Sequence, residues 1–282
     1  MRWRWVVLRV ADIDGGGGLT AVEMVKYVKR DECGAAKVIR TNDMNIAVLL
    51  AGGVGNRLGA GIPKQYVEVL GKPLIVHSLE QYQKSQLISA IEVVCAPQYE
   101  EQVWAWAKQY GISKLKWIAY GGESCQESTR NGIFNLEGKC NPDDVLTVNM
   151  STSVFVDDDI LEDSFRVCAE HGCAFAAAQC VYNNAETFDG VSSKKIHAKE
   201  THKMLNMPWT APLGTLAPMY HEAWEKGIET KQSSYMPTLF LALGKTLYLS
   251  KDTGLNQLHV VTPSELEMVT ACLKLEQEKG RR

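Results

Sequence analysis

Residues 45–66 read NIAVLLAGGVGNRLGAGIPKQY, and this stretch decides the fold class. Its first seven residues are strand-like: after Asn45, residues 46–51 form a continuous apolar run, as expected for a buried strand of a parallel sheet. Glycines follow the run directly, so backbone N–H groups there can approach and cradle a polyphosphate. Arg57 and Lys64 come later in the stretch and would offset the negative charge that develops during phosphoryl transfer. The stretch therefore predicts a strand, a phosphate-binding loop and a cationic segment in succession.

This loop differs from two widespread phosphate-binding loops. It lacks the Gly-Lys-Ser/Thr ending of a P-loop, and no ribose-binding acid follows in the usual dinucleotide context about 20 residues on. A glycine-rich loop by itself is weak evidence of phosphate binding. The compound pattern AGGxGxRLG followed by PKQY is far more specific.

Downstream of the loop, strand-like apolar runs alternate with helical patterns. We predict strands at 45–51, 91–97, 115–120, 144–150 and 173–182, and helices at 73–85, 98–110, 124–137 and 157–171. This alternation is typical of an α/β fold in three layers, with a mostly parallel sheet and right-handed crossovers. Polar residues and prolines interrupt it at 183–215, which we expect to leave the sheet. A capping box, Thr262-Pro-Ser-Glu265, then predicts a last helix that ends near residue 279.

The composition of the chain is that of an ordinary globular protein. It has 282 residues, of which 45% are hydrophobic and 22% are charged. The net charge of −3 indicates no basic surface for nucleic acid, and no apolar run approaches the roughly 20 residues that span a membrane. The eight cysteines include no CxxC pair. We therefore expect reduced thiols in a cytoplasmic protein.

The first 43 residues differ from the rest of the chain. They contain the run Gly15–Gly18 and no strand–helix alternation, and Met44 opens the first clear strand. We predict that 1–43 is a flexible or non-native extension and that 44–282 is the folded domain. Residues 12–23 match a twelve-residue calcium loop at five positions, but Gly16 occupies a ligand position and no second such loop exists. A flexible leader is the favoured interpretation, and calcium binding is the alternative.

The blocks GKPLIVHSLE (71–80), GGESCQESTRNG (121–132), EHGCA (170–174) and VTPSEL (261–266) add to the loop motif. Together they resemble the sugar-alcohol phosphate cytidylyltransferases, which act on 2-C-methyl-D-erythritol 4-phosphate or ribitol 5-phosphate. The resemblance covers about 44–275, and the Ala-Gly-Gly start looks more like the ribitol type. It implies a Rossmann-like nucleotidyltransferase fold and a homodimer formed through a protruding dimerisation arm, here 183–215. It also implies CMP transfer from CTP, with Mg²⁺ or another divalent cation, to a polyol phosphate, giving a CDP-polyol and pyrophosphate.

The same resemblance assigns roles to residues of this chain. Arg57 and Lys64 would be the catalytic cations. The positions that would bind the nucleotide are Ala51, Gly52, Gly53, Gly55, Gly122, Glu123, Ser128 and Ser151. The positions that would bind the acceptor are Thr187, Lys203 and His259, the first two reaching the partner's site from the arm. No side chain is assigned to a metal.

Several residues depart from the family pattern. Met150 stands where an acid helps to place Mg²⁺, Ser153 and Cys125 stand where arginines are usual, and His259 replaces a lysine. One explanation is an active enzyme with a rearranged acceptor site, its metal held mainly by the CTP phosphates. The other is a CTP-binding pseudoenzyme, and use of a different nucleotide is a third possibility. Retention of both loop cations favours catalysis.

Overall fold

The computed structural model describes residues 28–30, 36–38, 44–53, 61–228, 235–258 and 260–280. The chain divides between Asp43 and Met44 into two compact units. In the first unit, β1 (Val28–Arg30) pairs with β2 (Ala36–Val38) as antiparallel strands. The glycine-rich segment 12–23 lies outside the described residues, so the flexible leader stays a prediction and calcium binding its alternative.

The second unit alternates strands and helices along the chain. Its strands are β3 (Asn45–Ala51), β4 (Glu68–Val69), β5 (Lys72–Pro73), β6 (Ala90–Cys95), β7 (Leu115–Tyr120), β8 (Val145–Met150), β9 (Ala174–Gln179), β10 (Asn184–Glu186), β11 (Lys195–His197), β12 (Lys203–Pro212) and β13 (Leu249–Lys251). Its helices are α1 (Leu74–Lys84), α2 (Glu100–Gln109), α3 (Cys125–Leu136), α4 (Asp158–His171), α5 (Leu213–Glu225), α6 (Met236–Ala242) and α7 (Pro263–Glu278). The predicted strands and helices are confirmed, with ends that differ by only a few residues.

Seven strands form the central sheet in the order β13-β9-β12-β8-β3-β6-β7. β3 runs parallel to both β6 and β8, β7 runs parallel to β6, and β13 runs parallel to β9. β12 alone among these strands is antiparallel to its neighbours, β8 and β9. The prediction of a mostly parallel α/β sheet is confirmed.

Both faces of the sheet are covered by helices. Successive residues of β3 point to opposite faces, so Val48 packs with α3, α5 and α6 while Leu49 packs with α1, α2 and α4. This two-sided burial explains why β3 is apolar throughout. α7 lies apart from these layers, where Val269 and Leu273 pack against Val69 and Leu74.

The helix starts follow their sequence signals. Asp157 caps α4 by accepting a hydrogen bond from the N–H of Ile160 at 3.0 Å. Thr262 and Glu265 form the predicted capping box of α7. None of the helices that the structure describes is both long and apolar enough to cross a membrane.

The predicted departure from the sheet at 183–215 is wrong at its carboxyl end. Residues 203–212 are β12, which lies inside the central sheet, and α5 begins at Leu213. Only about 180–202 leave the sheet, and β10 and β11 pair there as a hairpin. β12 was missed because its first residues are exposed and because Pro208 and Pro212 are unusual in a central strand.

One buried carboxyl group makes the stability of the fold depend on pH. Glu92 on β6 is fully buried, its Oε1 accepts a 2.7 Å hydrogen bond from Asn135, and its Oε2 has no partner among the described residues. Burial raises the pKa of Glu92 from 4.5 to about 8. The folded state therefore holds a proton that the unfolded state releases between these pH values, and stability falls as the pH rises through that window.

Glu92→Gln is expected to remove this pH dependence. Above pH 8 the variant should be more stable than the wild type by up to about 5 kcal/mol, because the rise in pKa corresponds to about 1.4 kcal/mol per pH unit and a neutral amide carries no charge-burial penalty. Urea unfolding at pH 5.5, 7 and 8.5 measures the difference. Glu101→Gln, on an exposed position of α2, is the matched control and should leave the slope intact. Equal slopes in the wild type and Glu92→Gln would contradict the prediction.

Candidate nucleotide-binding site

A cleft of about 430 Å³ lies at the carboxyl-terminal edge of the parallel strands. This edge is where open α/β sheets bind their ligands. Seven of the predicted site residues line the cleft: Gly52, Gly53, Lys64, Gly122, Glu123, Ser128 and Ser151. They come from the segments that follow β3, β7 and β8, which the parallel topology brings to one edge.

The other predicted residues lie elsewhere. Ala51 is buried in the core beneath the cleft. Gly55, Arg57 and His259 lie outside the described residues, so their roles stay predictions. The acceptor-binding candidates Thr187 and Lys203 are exposed and do not line the cleft of their own chain.

Ser128 joins the two glycine segments of the cleft. Its hydroxyl accepts a 3.1 Å hydrogen bond from the N–H of Gly122. A Cβ placed on Gly121 would lie 3.2 Å from this hydroxyl and 3.3 Å from the Cα of Gly52. The chain segments that follow β3 and β7 therefore lie so close together that a side chain on Gly121 would force them apart.

Gln65 fixes the carboxyl end of β3, a role that the sequence motifs did not predict. Its side-chain amide is buried and donates to the carbonyl oxygens of Ala51 at 2.5 Å and Gly53 at 2.9 Å. The residue stands inside the PKQY block, but its partners lie 12 and 14 positions earlier in the chain. Only the folded chain shows that PKQY holds the strand end in place.

The same turn positions Lys64 at the cleft. Lys64–Tyr66 form a 3-10 turn that begins after Pro63. The ring of Tyr66 packs against Tyr99 and Trp106, with centroids 4.3 and 5.4 Å away. An aromatic anchor on one side and the Gln65 amide on the other thus hold the half-buried Lys64 on the cleft wall.

The start of α3 forms the opposite wall. Ser124 accepts from the N–H of Glu127, and the Glu127 carboxylate accepts from the N–H groups of Glu123 and Ser124 at 2.6 and 3.3 Å. This capping box satisfies backbone donors that a helix start otherwise leaves unpaired. It also gives Gly122 and Glu123 one defined backbone position.

Comparison with known proteins identifies the chain. The sequence model of the IspD family, 2-C-methyl-D-erythritol 4-phosphate cytidylyltransferase, matches residues 45–203. The ribitol-5-phosphate cytidylyltransferase of Lacticaseibacillus paracasei is 31% identical over 234 residues, which are 82% of this chain and 98% of that protein. The chain belongs to this family. The predicted resemblance is confirmed, and the protein is a cytidylyltransferase.

Other cytidylyltransferases also match this chain over nearly their full length. The 2-C-methyl-D-erythritol 4-phosphate cytidylyltransferase of Clostridium acetobutylicum is 25% identical over 82% of this chain and 98% of its own length. The crystal structure of 4-diphosphocytidyl-2C-methyl-D-erythritol synthase from Anaerococcus prevotii has a TM-score of 0.68 at 14% identity, covering 82% of this chain and 99% of that one. The Francisella tularensis enzyme has a TM-score of 0.66 at 19% identity, over 80% and 98% of the two chains. These structures share the fold.

Three departures from the cytidylyltransferase pattern lie at or beside the cleft. Met150 and Cys125 line it, and Ser153 lines a neighbouring cavity. Burial raises the pKa of Cys125 to about 11, so the thiol is neutral near pH 7 and a weak nucleophile. Below Met150, the amide of Asn149 donates to the hydroxyl of Tyr82 at 2.9 Å, which fixes the end of β8 from inside the core.

The described residues do not form a protein-held Mg²⁺ site. Among them, no group of three His, Cys, Asp or Glu side chains could hold a metal ion. Met150 offers a soft thioether, which Mg²⁺ does not bind, and Glu123 is the one carboxylate among the described lining residues.

Gly53→Ala is expected to weaken CTP binding at least about tenfold. A Cβ on Gly53 meets nothing within 4 Å in the free protein, but it would occupy space where phosphate oxygens approach the loop. The melting temperature without ligand should therefore stay unchanged, while the stabilisation by CTP should shrink. Thermal shift across a CTP titration measures both quantities. An unchanged CTP response would place the phosphates elsewhere.

Proposed function

We propose that this cytidylyltransferase transfers CMP from CTP to a polyol phosphate, giving a CDP-polyol and pyrophosphate. Ribitol 5-phosphate is the favoured acceptor, followed by 2-C-methyl-D-erythritol 4-phosphate. The observation that carries the proposal is one cleft in which the loop after β3, Lys64 and the Gly122–Ser128 segment converge. The preference for ribitol 5-phosphate is supported by the ribitol-5-phosphate cytidylyltransferase of L. paracasei, because this chain matches 98% of the length of that protein.

The proposed reaction needs little covalent chemistry from the protein. An oxygen of the acceptor phosphate attacks the α-phosphorus of CTP, and the bond from that phosphorus to the bridging oxygen of pyrophosphate breaks. The nucleophile is already anionic, so no strong base is required. Catalysis then rests on positioning and on positive charge, supplied by Lys64 and by the predicted Arg57. Mg²⁺ bound to CTP would offset part of the charge of its phosphates.

We further propose a homodimer formed through the segment 180–202. This segment and the start of β12 carry a run of exposed apolar side chains: Val181, Tyr182, Phe188, Val191, Ile196, Met204 and Leu205. Phe188 is 97% exposed and Val191 is 93% exposed, which is unusual for large apolar side chains unless a partner covers them. A second copy docked here would bring Thr187 and Lys203 towards the site of its partner.

A cytoplasmic location is part of the proposal. The seven cysteines among the described residues form no disulfide, and Cys95, Cys168, Cys173 and Cys180 are buried. Buried, reduced thiols are typical of proteins in a reducing compartment.

Pyrophosphate release tests the proposed function. Purified protein is incubated with CTP, Mg²⁺ and one acceptor at a time: ribitol 5-phosphate, 2-C-methyl-D-erythritol 4-phosphate, glycerol 3-phosphate or phosphocholine. Release with a polyol phosphate is expected. A parallel thermal-shift panel of CTP, UTP, ATP and GTP checks the nucleotide. Stabilisation by CTP without release for any acceptor would contradict the transfer and indicate a nucleotide-binding protein without catalysis.

A further inference from the structure

A buried glutamine borders the nucleotide cleft without offering its amide to a ligand. Gln65 lines the cleft but is only 2% exposed. Its side-chain nitrogen donates to two backbone carbonyl oxygens, those of Ala51 and Gly53, which stand on either side of Gly52. A side-chain amide has two N–H donors, and both are used here. Any effect of Gln65 on a bound nucleotide is therefore exerted through the backbone that it holds.

The two hydrogen bonds decide which way the backbone of this segment faces. The peptide bond between Ala51 and Gly52 is trans, so its C=O and its N–H point in opposite directions. Because the C=O of Ala51 is held towards Gln65, the N–H of Gly52 points away from that side chain. The N–H groups of Gly52 and Gly53 form no hydrogen bond with other residues in the part of the chain that the structure describes. Both glycines line the cleft.

This orientation matters for a polyanionic ligand. A backbone N–H carries partial positive charge and a carbonyl oxygen carries partial negative charge, so turning a peptide group over replaces attraction of a phosphate with repulsion. Glycines have no Cβ, and their peptide groups rotate with little steric resistance. Gly52 and Gly53 therefore cannot fix their own orientation, and the Gln65 amide supplies the restraint that the segment lacks.

The same glutamine connects the glycine segment with the cation of the cleft. Gln65 stands between Lys64 and Tyr66 in one 3-10 turn, and Tyr66 packs against the ring of Tyr99. The amide ties this anchored turn to the end of β3. The distance between the glycine segment and Lys64 is thus set by one side chain.

We propose that Gln65 is a positioning residue for the nucleotide, which keeps the carbonyl oxygens of Ala51 and Gly53 turned away from the phosphates of CTP. Without its amide, the glycine segment samples orientations in which these oxygens face the phosphates. Affinity for CTP then falls, while affinity for the acceptor does not. The inference rests on the proposed function only in taking CTP as the ligand of the cleft.

Gln65→Met tests the inference, because it keeps a side chain of similar length and removes both donors. We expect the Kd for CTP in the presence of Mg²⁺, measured by isothermal titration calorimetry, to rise at least about tenfold. At saturating CTP, the KM for the acceptor should stay within about twofold of the wild type. Circular dichroism at the assay temperature checks that the variant is folded.

Asn45→Leu is the matched control. Asn45 lies at the amino end of the same strand, away from the cleft, and its side-chain amide donates to the carbonyl oxygen of Leu87 at 2.9 Å. This variant also removes a bond from a side-chain amide to a backbone carbonyl, and we expect it to lower the melting temperature. Its Kd for CTP should equal that of the wild type, which separates positioning of the nucleotide from a general loss of stability.

Gln65→Glu supplies a second readout. An ionised carboxylate at this position repels the two carbonyl oxygens, whereas a protonated carboxyl can donate to one of them. The Kd for CTP of this variant, divided by that of the wild type at the same pH, should therefore be larger at pH 8.5 than at pH 5.5. The ratio removes the titration of CTP itself.

Two results would overturn the inference: a Kd for CTP within about twofold of the wild type in Gln65→Met, or an equal rise in Asn45→Leu. The calorimetric readout needs no turnover, so it is separate from the test of the proposed function. If the wild type binds CTP but transfers CMP to no acceptor, the proposed function fails and a raised Kd in Gln65→Met still supports the inference. If the wild type does not bind CTP, both fail.

Discussion

Lys64→Ala is expected to lower the turnover of CTP at least about 100-fold, as the loss of a preorganised electrostatic donor typically does. Lys64 lines the cleft on a 3-10 turn that Tyr66 anchors in the core, and the proposed function places the transferred phosphoryl group in this cleft. Removing the ammonium group leaves the turn and the glycine loop in place. The loss should therefore appear in kcat for pyrophosphate release at saturating CTP.

Two further variants separate catalysis from general charge effects. Lys72→Ala removes a lysine on β5 that pairs with Glu80 at 2.6 Å and does not line the cleft, so its turnover should stay near that of the wild type. Lys64→Arg keeps the charge but changes its shape and reach, and should fall between the wild type and Lys64→Ala. Near-normal turnover in Lys64→Ala would mean that the Lys64 ammonium group does not stabilise the transferred phosphoryl group.

The parallel core could be predicted because its sequence signals are local. β3 was predicted at its observed bounds, since six consecutive apolar residues after Asn45 are followed directly by glycine. The antiparallel β12 could not be predicted in the same way. Its pattern runs from exposed at Lys203 to buried at Ala211, and its burial depends on pairing with β8 and β9, which lie far away in sequence.

The site residues also divide into those with a local sequence signal and those whose role depends on the fold. Motif residues such as Gly52 and Ser128 could be placed at the cleft because they belong to contiguous sequence blocks. Gln65 was missed, because its importance depends on neighbours that only the fold supplies. These neighbours are the carbonyl oxygens of Ala51 and Gly53.

The departures from the family pattern lie on both sides of Met150. Ser153 and Met150 replace charged groups of the pattern and line the cavity beside the cleft, while Cys125 replaces an arginine and lines the cleft itself. Lys64 and the glycines of the cleft wall are retained, which the proposed transfer of CMP requires.

Gly132→Val is expected to destabilise the fold by about 3 kcal/mol, since overpacking of a tight core typically costs 1–3 kcal/mol and a branched side chain lies at the upper end. Gly132 lies on α3 where the helix meets the sheet. A Cβ there would lie 2.8 Å from Cγ2 of Val94, 3.0 Å from Oε2 of Glu92 and 3.1 Å from Cγ1 of Val48. The helix must move away from β3 and β6 to admit it. The melting temperature should fall by about 10 °C.

A graded series tests whether this close contact is the cause. Gly132→Ala adds one carbon and gains helix propensity of about 1 kcal/mol, so its loss should be much smaller than that of Gly132→Val. Ala105→Val, at an exposed position of α2, measures the cost of a branched residue on a helix surface and should lower the melting temperature only slightly. If Gly132→Val unfolds no earlier than Ala105→Val, α3 does not pack on the sheet as closely as these distances require. Since α3 also carries Ser128, such looseness would reach the nucleotide cleft, and the stabilisation by CTP should then be weak even in the wild type.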